Sequence, residues 1–194
     1  MTHLFLAMEY RMPGFPEDPN GLPGQDRTQY AKITLDYLLH DAGISFLSER
    51  KFPSGLRLFT DRELKHLEDV KNLVQPMLWV GRSTWIILLL TGIGVCRGRW
   101  RFDFFRSLRL GGWVAVGLAA LIMIFVLIGF RNFFVFLHVL LFSENSWRFH
   151  PNNTLVRLFP IRFWRDVFVI LAVFTMSGGL VFELGLRKKT SEKR

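Results

Sequence analysis

Residues 110–130 form a run of 21 positions without a single charge. An α-helix needs about 20 such residues to cross the hydrocarbon of a bilayer, and no other feature restricts the possible folds of this chain as much. Two further apolar blocks, residues 77–96 and 167–186, predict two more spans. Inside a bilayer the backbone finds no water to bond, so a spanning segment is a helix or part of a closed barrel, and long continuous apolar runs select the helix. The expected fold class is an all-α polytopic membrane protein with three transmembrane helices. Arg82 lies near one end of the first span, where it either snorkels to the headgroups or faces a polar cavity. Ser177, Gly178 and Gly179 in the third span would let another helix approach closely. Glu183, in the last turn, reads as an interfacial residue.

The formal net charge is +9, and its placement sets the expected orientation. Five arginines fall within residues 97–109 and five Lys/Arg within residues 187–194, whereas the five arginines of 131–166 are spread over 36 positions. Positive charge concentrated in short flanking segments marks the cytoplasmic side. Residues 97–109 and the basic tail 187–194 are therefore expected in the cytoplasm, and residues 1–76 with the loop 131–166 on the extracytoplasmic face. A 76-residue external segment has to be carried across the membrane, for which a preceding span is the natural means. The chain is thus expected to lack a first helix, with the apolar patch at residues 4–7 as its last turn. The basic residues abut apolar blocks and come with neither zinc-ligand spacing nor an RNP-like motif, which argues against nucleic acid as a partner. The single cysteine, Cys96, can form no internal disulfide, is no metal site by itself, and is expected to serve packing.

Residues 11–25 contain four prolines and three glycines and read as an extended, turn-rich segment. Asp26 can cap a helix over about 27–39, with Tyr30, Ile33, Tyr37 and Leu38 at helical spacing. Thr60 followed three residues later by Glu63 is a capping box. It opens a helix over about 61–74 with Leu64, Leu67, Val70 and Val74 on one face, which Gln75-Pro76 is expected to end.

Of the five histidines, His3, His40 and His150 read as surface residues. His66, in RELKHLEDVK, has Glu63 three residues before it and Asp69 three after, close enough for a carboxylate to orient the imidazole. The same pattern also describes a solvated helix face. His138 interrupts FFVFLHVLLF, where an unpartnered imidazole carries a desolvation cost. It is either a functional group at membrane depth or a packed histidine bonded to a backbone carbonyl. Arg131, Arg148, Arg157, Arg162 and Arg165 could contact phospholipid phosphate or anchor the interface beside the many aromatics. No nucleophile elbow, zinc-protease motif or P-loop is present, and neither a metal nor a cofactor is expected.

Three segments, FTDRELKHLEDVKNL (59–73), FLHVLLFSENSW (136–147) and NNTLVRLFPIRFW (152–164), resemble the lipoprotein intramolecular transacylase family of bacterial membrane proteins. GFPEDPNGL (14–22) and YAKITLDYL (30–38) fit more weakly. The resemblance implies a four-helix membrane protein whose first helix is missing here, in the bacterial cell membrane, with its active face extracytoplasmic. It implies an enzyme that moves the sn-2 acyl chain of a diacylglyceryl lipoprotein to the α-amino group of the N-terminal cysteine, leaving a lyso-form lipoprotein. The implied partners are the diacylated lipoprotein and membrane phospholipid. The RE-x-x-H-x-x-DV and LH-x-x-LF motifs of the family match His66 and His138, which become the expected catalytic pair. Glu63 or Asp69 would orient His66, and backbone amides or an external arginine such as Arg157 would stabilise the oxyanion. Asn153 stands where the family usually has an acidic residue. The alternative reading is a non-catalytic membrane protein that binds a lipid or a protein at its outer face. A channel or transporter is disfavoured, since the second span offers no polar residue to line a pathway.

Overall fold

The computed structural model describes residues 2–96, 98, 100–143 and 146–191, with Cys96 and residues 184–191 as backbone alone. The packing role expected of Cys96 and the side chains of the basic tail lie outside the described residues. Among the described residues are seven α-helices and no β-strand: α1 His3–Glu9, α2 Gly24–Leu39, α3 Ser45–Ser48, α4 Asp61–Cys96, α5 Arg101–Leu141, α6 Thr154–Leu158 and α7 Ile161–Ser191. They belong to two compact units, one of Met1–Trp79 with Phe134–Trp164 and the other of Val80–Phe133 with Arg165–Arg194.

Three of these helices are long and apolar enough to span a membrane: Asp61–Val95, Arg101–Leu141 and Ile161–Glu183. The chain is an all-α membrane protein. At 1.5 Å per residue, α4 alone is about 54 Å long, against roughly 30 Å of hydrocarbon. The long helices therefore extend past the apolar blocks that announce them. The capping box does form: Thr60 Oγ1 accepts from the Glu63 amide at 3.3 Å, and the Thr60 amide donates to Glu63 Oε2 at 2.8 Å.

Gln75-Pro76 does not end the helix as expected; Pro76 lies inside α4. A proline removes one backbone hydrogen bond, but the apolar run beyond it has no other way to satisfy its amides in lipid. Gln75 is also anchored, its side-chain amide donating to the Leu38 carbonyl at 2.8 Å. The sequence boundaries shift elsewhere for similar reasons. The arginine-rich residues 101–109 are helical, arginine being a good helix former. Asp26 lies in the first turn of α2 rather than at its cap, which is Pro23. The aromatic stretch after the second apolar block continues α5 beyond a kink at Gly129, where φ −171° and ψ 71° interrupt the helix.

The first unit has a core of Tyr37, Leu47, Leu58, Phe59, Leu64, Leu67 and Leu158, with Tyr30, Ile33 and Leu38 packed on it. The expected inner face of α2 thus meets Leu64 and Leu67 of the expected face of α4 in one place, joined by Leu158 of α6, while Val70 and Val74 lie outside this core. Between α3 and α4 the chain reverses through Gly55, whose φ of +85° suits glycine.

In the second unit α5 packs on α7. A Cβ on Gly179 would collide with Cγ2 of Val116, so the small residue sets how close these helices lie. Beside it lies Glu183. It is 6% exposed, and Arg109 donates to both of its carboxylate oxygens, at 2.8 and 2.6 Å. A carboxylate among apolar helices needs a partner charge, and this one comes from 74 residues away in sequence. Ile86, Ile87, Leu89, Leu90 and Ile93 of α4 are each more than half exposed, a surface suited to lipid rather than water.

Gly179→Leu is expected to destabilise the detergent-solubilised protein by about 1–3 kcal/mol, the cost of overpacking. Gly178→Leu, with nothing within 4 Å of its Cβ position, is expected to be tolerated. Thermal unfolding of the two variants measures the contrast.

Candidate active site

His66 and His138 come together within the first unit. Their ring centroids are 6.0 Å apart and their planes 25° from parallel. His66 belongs to the first turns of α4, opened by the capping box, and His138 to the last turn of α5. Aromatic rings enclose the pair. Phe142 lies 4.8 Å from His66 and 5.4 Å from His138. Phe149 lies 5.3 Å from His66, Trp147 5.0 Å from His138, and Phe134 4.0 Å from His138.

The two imidazoles are held differently. His138 Nδ1 lies 2.8 Å from the Phe134 carbonyl. A carbonyl only accepts, so Nδ1 carries the proton, and Nε2 is left as the basic nitrogen of the neutral ring. His66 is 6% exposed, which sets aside the reading of its helix face as simply solvated. Its Nδ1 is buried and has no hydrogen-bond partner among the described residues. An unsatisfied buried nitrogen is costly to keep in a folded protein.

Neither carboxylate expected to orient His66 is engaged with it by a hydrogen bond. Glu63 is 1% exposed. Its Oε2 accepts from the amide and the hydroxyl of Thr60, both at 2.8 Å, and its Oε1 accepts from the amide of Leu155 at 2.7 Å. Asp69 lies 3.5 Å from the Lys65 ammonium. The side chain follows the strongest donors within reach, and for Glu63 these are the helix-start amides of α4 and α6.

Arg157, expected as an oxyanion partner, is engaged elsewhere. Its guanidinium donates twice to Asp18, at 2.9 Å each. The two side chains are 10% and 1% exposed. Asp18 Oδ1 also accepts from the amides of Asn20 and Leu22, at 2.9 and 3.1 Å. Burial pushes the Asp18 carboxyl up, but the bonds from Arg157, Leu22 and Asn20 together with the Arg157 charge outweigh it and hold the carboxyl below its ordinary value. Arg27 completes the tie, donating to the Arg157 and Pro16 carbonyls at 2.8 and 2.6 Å between the rings of Tyr10 and Phe15. The proline-rich segment and α6 are thereby fastened together. Asn153 Oδ1 accepts from the His150 amide at 2.8 Å. His150 and His40 are exposed, and His3 bonds Asp36 at 2.7 Å on the surface.

Residues 1–164 match the sequence profile of the lipoprotein intramolecular transacylase Lit. The chain belongs to the lipoprotein intramolecular transacylase family. An uncharacterised protein of Aquifex aeolicus (strain VF5) is 30% identical over 183 residues, covering 91% of this chain and 79% of that protein. The in meso structure of the membrane integral lipoprotein intramolecular transacylase Lit from Bacillus cereus superposes with a TM-score of 0.66 at 22% identity, covering 86% of this chain and 75% of that one. At that identity the likeness establishes a shared fold. In this member of the family, the parts that sequence reasoning missed are the aromatic enclosure of Phe142, Trp147 and Phe149 and the Asp18–Arg157 pair. An acidic residue inside a proline-rich segment was the available signal for the pair, but its partner is 139 residues away.

Asp18→Asn should destabilise the first unit by about 3 kcal/mol or more, since it leaves a buried guanidinium without its counter-charge. The pH dependence follows from the lowered carboxyl. The pair's contribution is complete above the unfolded value of about 3.9 and is lost as pH falls through the lower folded value. Acid titration of tryptophan fluorescence should therefore show a steeper loss of stability below about pH 4 in the unsubstituted protein than in Asp18→Asn.

Proposed function

We propose that this chain transfers the sn-2 acyl chain of a diacylglyceryl lipoprotein to the α-amino group of the same molecule's N-terminal cysteine, giving the lyso form. The observation that carries this is the pairing of His66 and His138, stacked at 6.0 Å within an aromatic enclosure. Family membership supports the reaction class, and the segments that carry both histidines resemble that family.

The chemistry needs one base and one acid. The amine nitrogen forms a bond to the ester carbonyl carbon and loses a proton as the amide appears. The ester C–O bond breaks, and the glycerol oxygen takes a proton as it leaves. Donor and acceptor belong to one molecule, so no acyl-enzyme is needed and holding the ester beside the amine supplies much of the acceleration. His66 is the base on the amine and His138 the acid at the departing oxygen, with one proton passed between them per turnover. A base must be uncharged to accept that proton, and a ring walled by Phe142 and Phe149 has surroundings that favour the uncharged form. The Phe134 carbonyl holds the Nδ1–H of His138, so Nε2 first receives the proton that His66 takes from the amine and then passes it to the departing glycerol oxygen. The positive-inside pattern puts the pair on the extracytoplasmic side, where the substrate sits among membrane phospholipids.

The test uses purified, reconstituted protein and a synthetic diacylglyceryl-cysteinyl peptide. The unsubstituted protein should give an isomer of equal mass acylated on nitrogen. His66→Ala and His138→Ala should each slow this by about a hundredfold to ten-thousandfold, the usual worth of a positioned acid or base. Turnover at the original rate in both folded variants would sink the assignment.

A further inference from the structure

Two of the rings that close over the histidine pair, Trp147 and Phe149, lie outside the helices. Trp147 and Phe149 lie between α5 and α6, so what fixes α6 fixes them. The turn leading into α6 is stiff: Asn153 Oδ1 accepts from the His150 amide at 2.8 Å, and the Asn153 amide donates to the His150 carbonyl at 2.9 Å. This use of the Asn153 side chain leaves α6 without a cap from its own N-cap residue. The cap comes from Glu63 instead, 92 residues away, whose Oε1 accepts from the Leu155 amide at 2.7 Å. The other oxygen of the same carboxylate is bonded twice to Thr60, at the start of the helix that carries His66. Leu158 packs into the core and Arg157 bonds Asp18 and Arg27, all at the far end of α6, whereas the charge-assisted bond from Leu155 to Glu63 fixes its first turn, the end that Trp147 and Phe149 lead into.

We infer that Glu63 is a positioning residue for the acyl transfer: its carboxylate clamps the first turn of α6 to the first turn of α4 and so sets the Trp147 and Phe149 wall against the two imidazoles. The inference rests on the histidine-pair reading above. The hydrogen bonds of Glu63 go to Thr60 and Leu155, not to either imidazole. It acts through α6 and the turn from His150 to Asn153. Glutamine at this position keeps the shape but turns one acceptor into a donor, which must face either Leu155 or Thr60 N–H.

The experiment compares full-length protein with Glu63→Gln on the synthetic diacylglyceryl-cysteinyl peptide, reading kcat and KM separately. It also follows carbethoxylation of His66 by diethyl pyrocarbonate, using peptide mass spectrometry. Misplacement of a wall by an ångström or so is expected to lower kcat on the order of a hundredfold, to leave KM nearly unchanged, and to let His66 label several-fold faster as the enclosure loosens. Should Glu63→Gln fail to fold, Glu63→Asp keeps the charge but shortens its reach between Thr60 and Leu155, and the same shifts are expected. Failure of the histidine reading leaves a different mark, undiminished kcat in both histidine-to-alanine variants, and the labelling of His66 still reports on the clamp. An undiminished kcat in Glu63→Gln, or His66 as slow to label there as in the unsubstituted protein, overturns the inference.

Discussion

Hydrocarbon offers the backbone no hydrogen-bonding partner, and this constraint decides most of what the chain can be. Each spanning segment must close its own amide–carbonyl bonds, so the apolar blocks become helices whatever their local propensities. The constraint reaches past the blocks themselves. Pro76 would end a helix in water, yet it lies inside α4. Gly129 breaks the helical geometry of α5, and the helix resumes beyond it to bring His138 to its last turn. Among the apolar helices of the second unit, the Glu183 carboxylate is matched by Arg109.

The first unit is organised by a different kind of contact. Its apolar core is small, and three side-chain ties give it direction. Asp18 with Arg157 fastens the proline-rich segment to α6, Arg27 grips the carbonyls on both sides of that joint, and Glu63 joins α6 to α4. All three converge on a helix of five residues. So short a helix is marginal by itself, and it holds its place because charged partners occupy both of its ends. That local economy has a functional counterpart in the enclosure of the histidine pair, since Trp147 and Phe149 lead directly into the same helix.

Much of the fold could be read from the sequence because apolar runs and capping residues act locally. The three spans, the capping box at Thr60 and the inner faces of α2 and α4 are of that kind. The two histidines were legible as unusual residues, His138 for its apolar setting and both for the motifs that resemble the family. Their partners were not legible. Glu63 and Asp69 stand at the right helical spacing from His66, and spacing alone could not reveal that Leu155 would compete for Glu63 and Lys65 for Asp69. Arg157 looked like an exposed cation available to an oxyanion, and only the folded chain brings Asp18 to it. Each of these contacts involves a partner far along the chain or a choice among several nearby donors, which are matters of tertiary packing.

The central claim is that this protein moves an acyl chain within a lipoprotein. The most direct measurement is to express it in a bacterial strain that makes only diacyl lipoproteins and to examine a lipoprotein's N-terminal peptide by tandem mass spectrometry. The account predicts a peptide of unchanged total acyl mass with one chain relocated from the glycerol to the cysteine nitrogen. An unaltered diacylglyceryl-cysteine, isolated from cells with folded protein in the membrane, would contradict it and would favour a protein that binds a lipid or a partner through the same face.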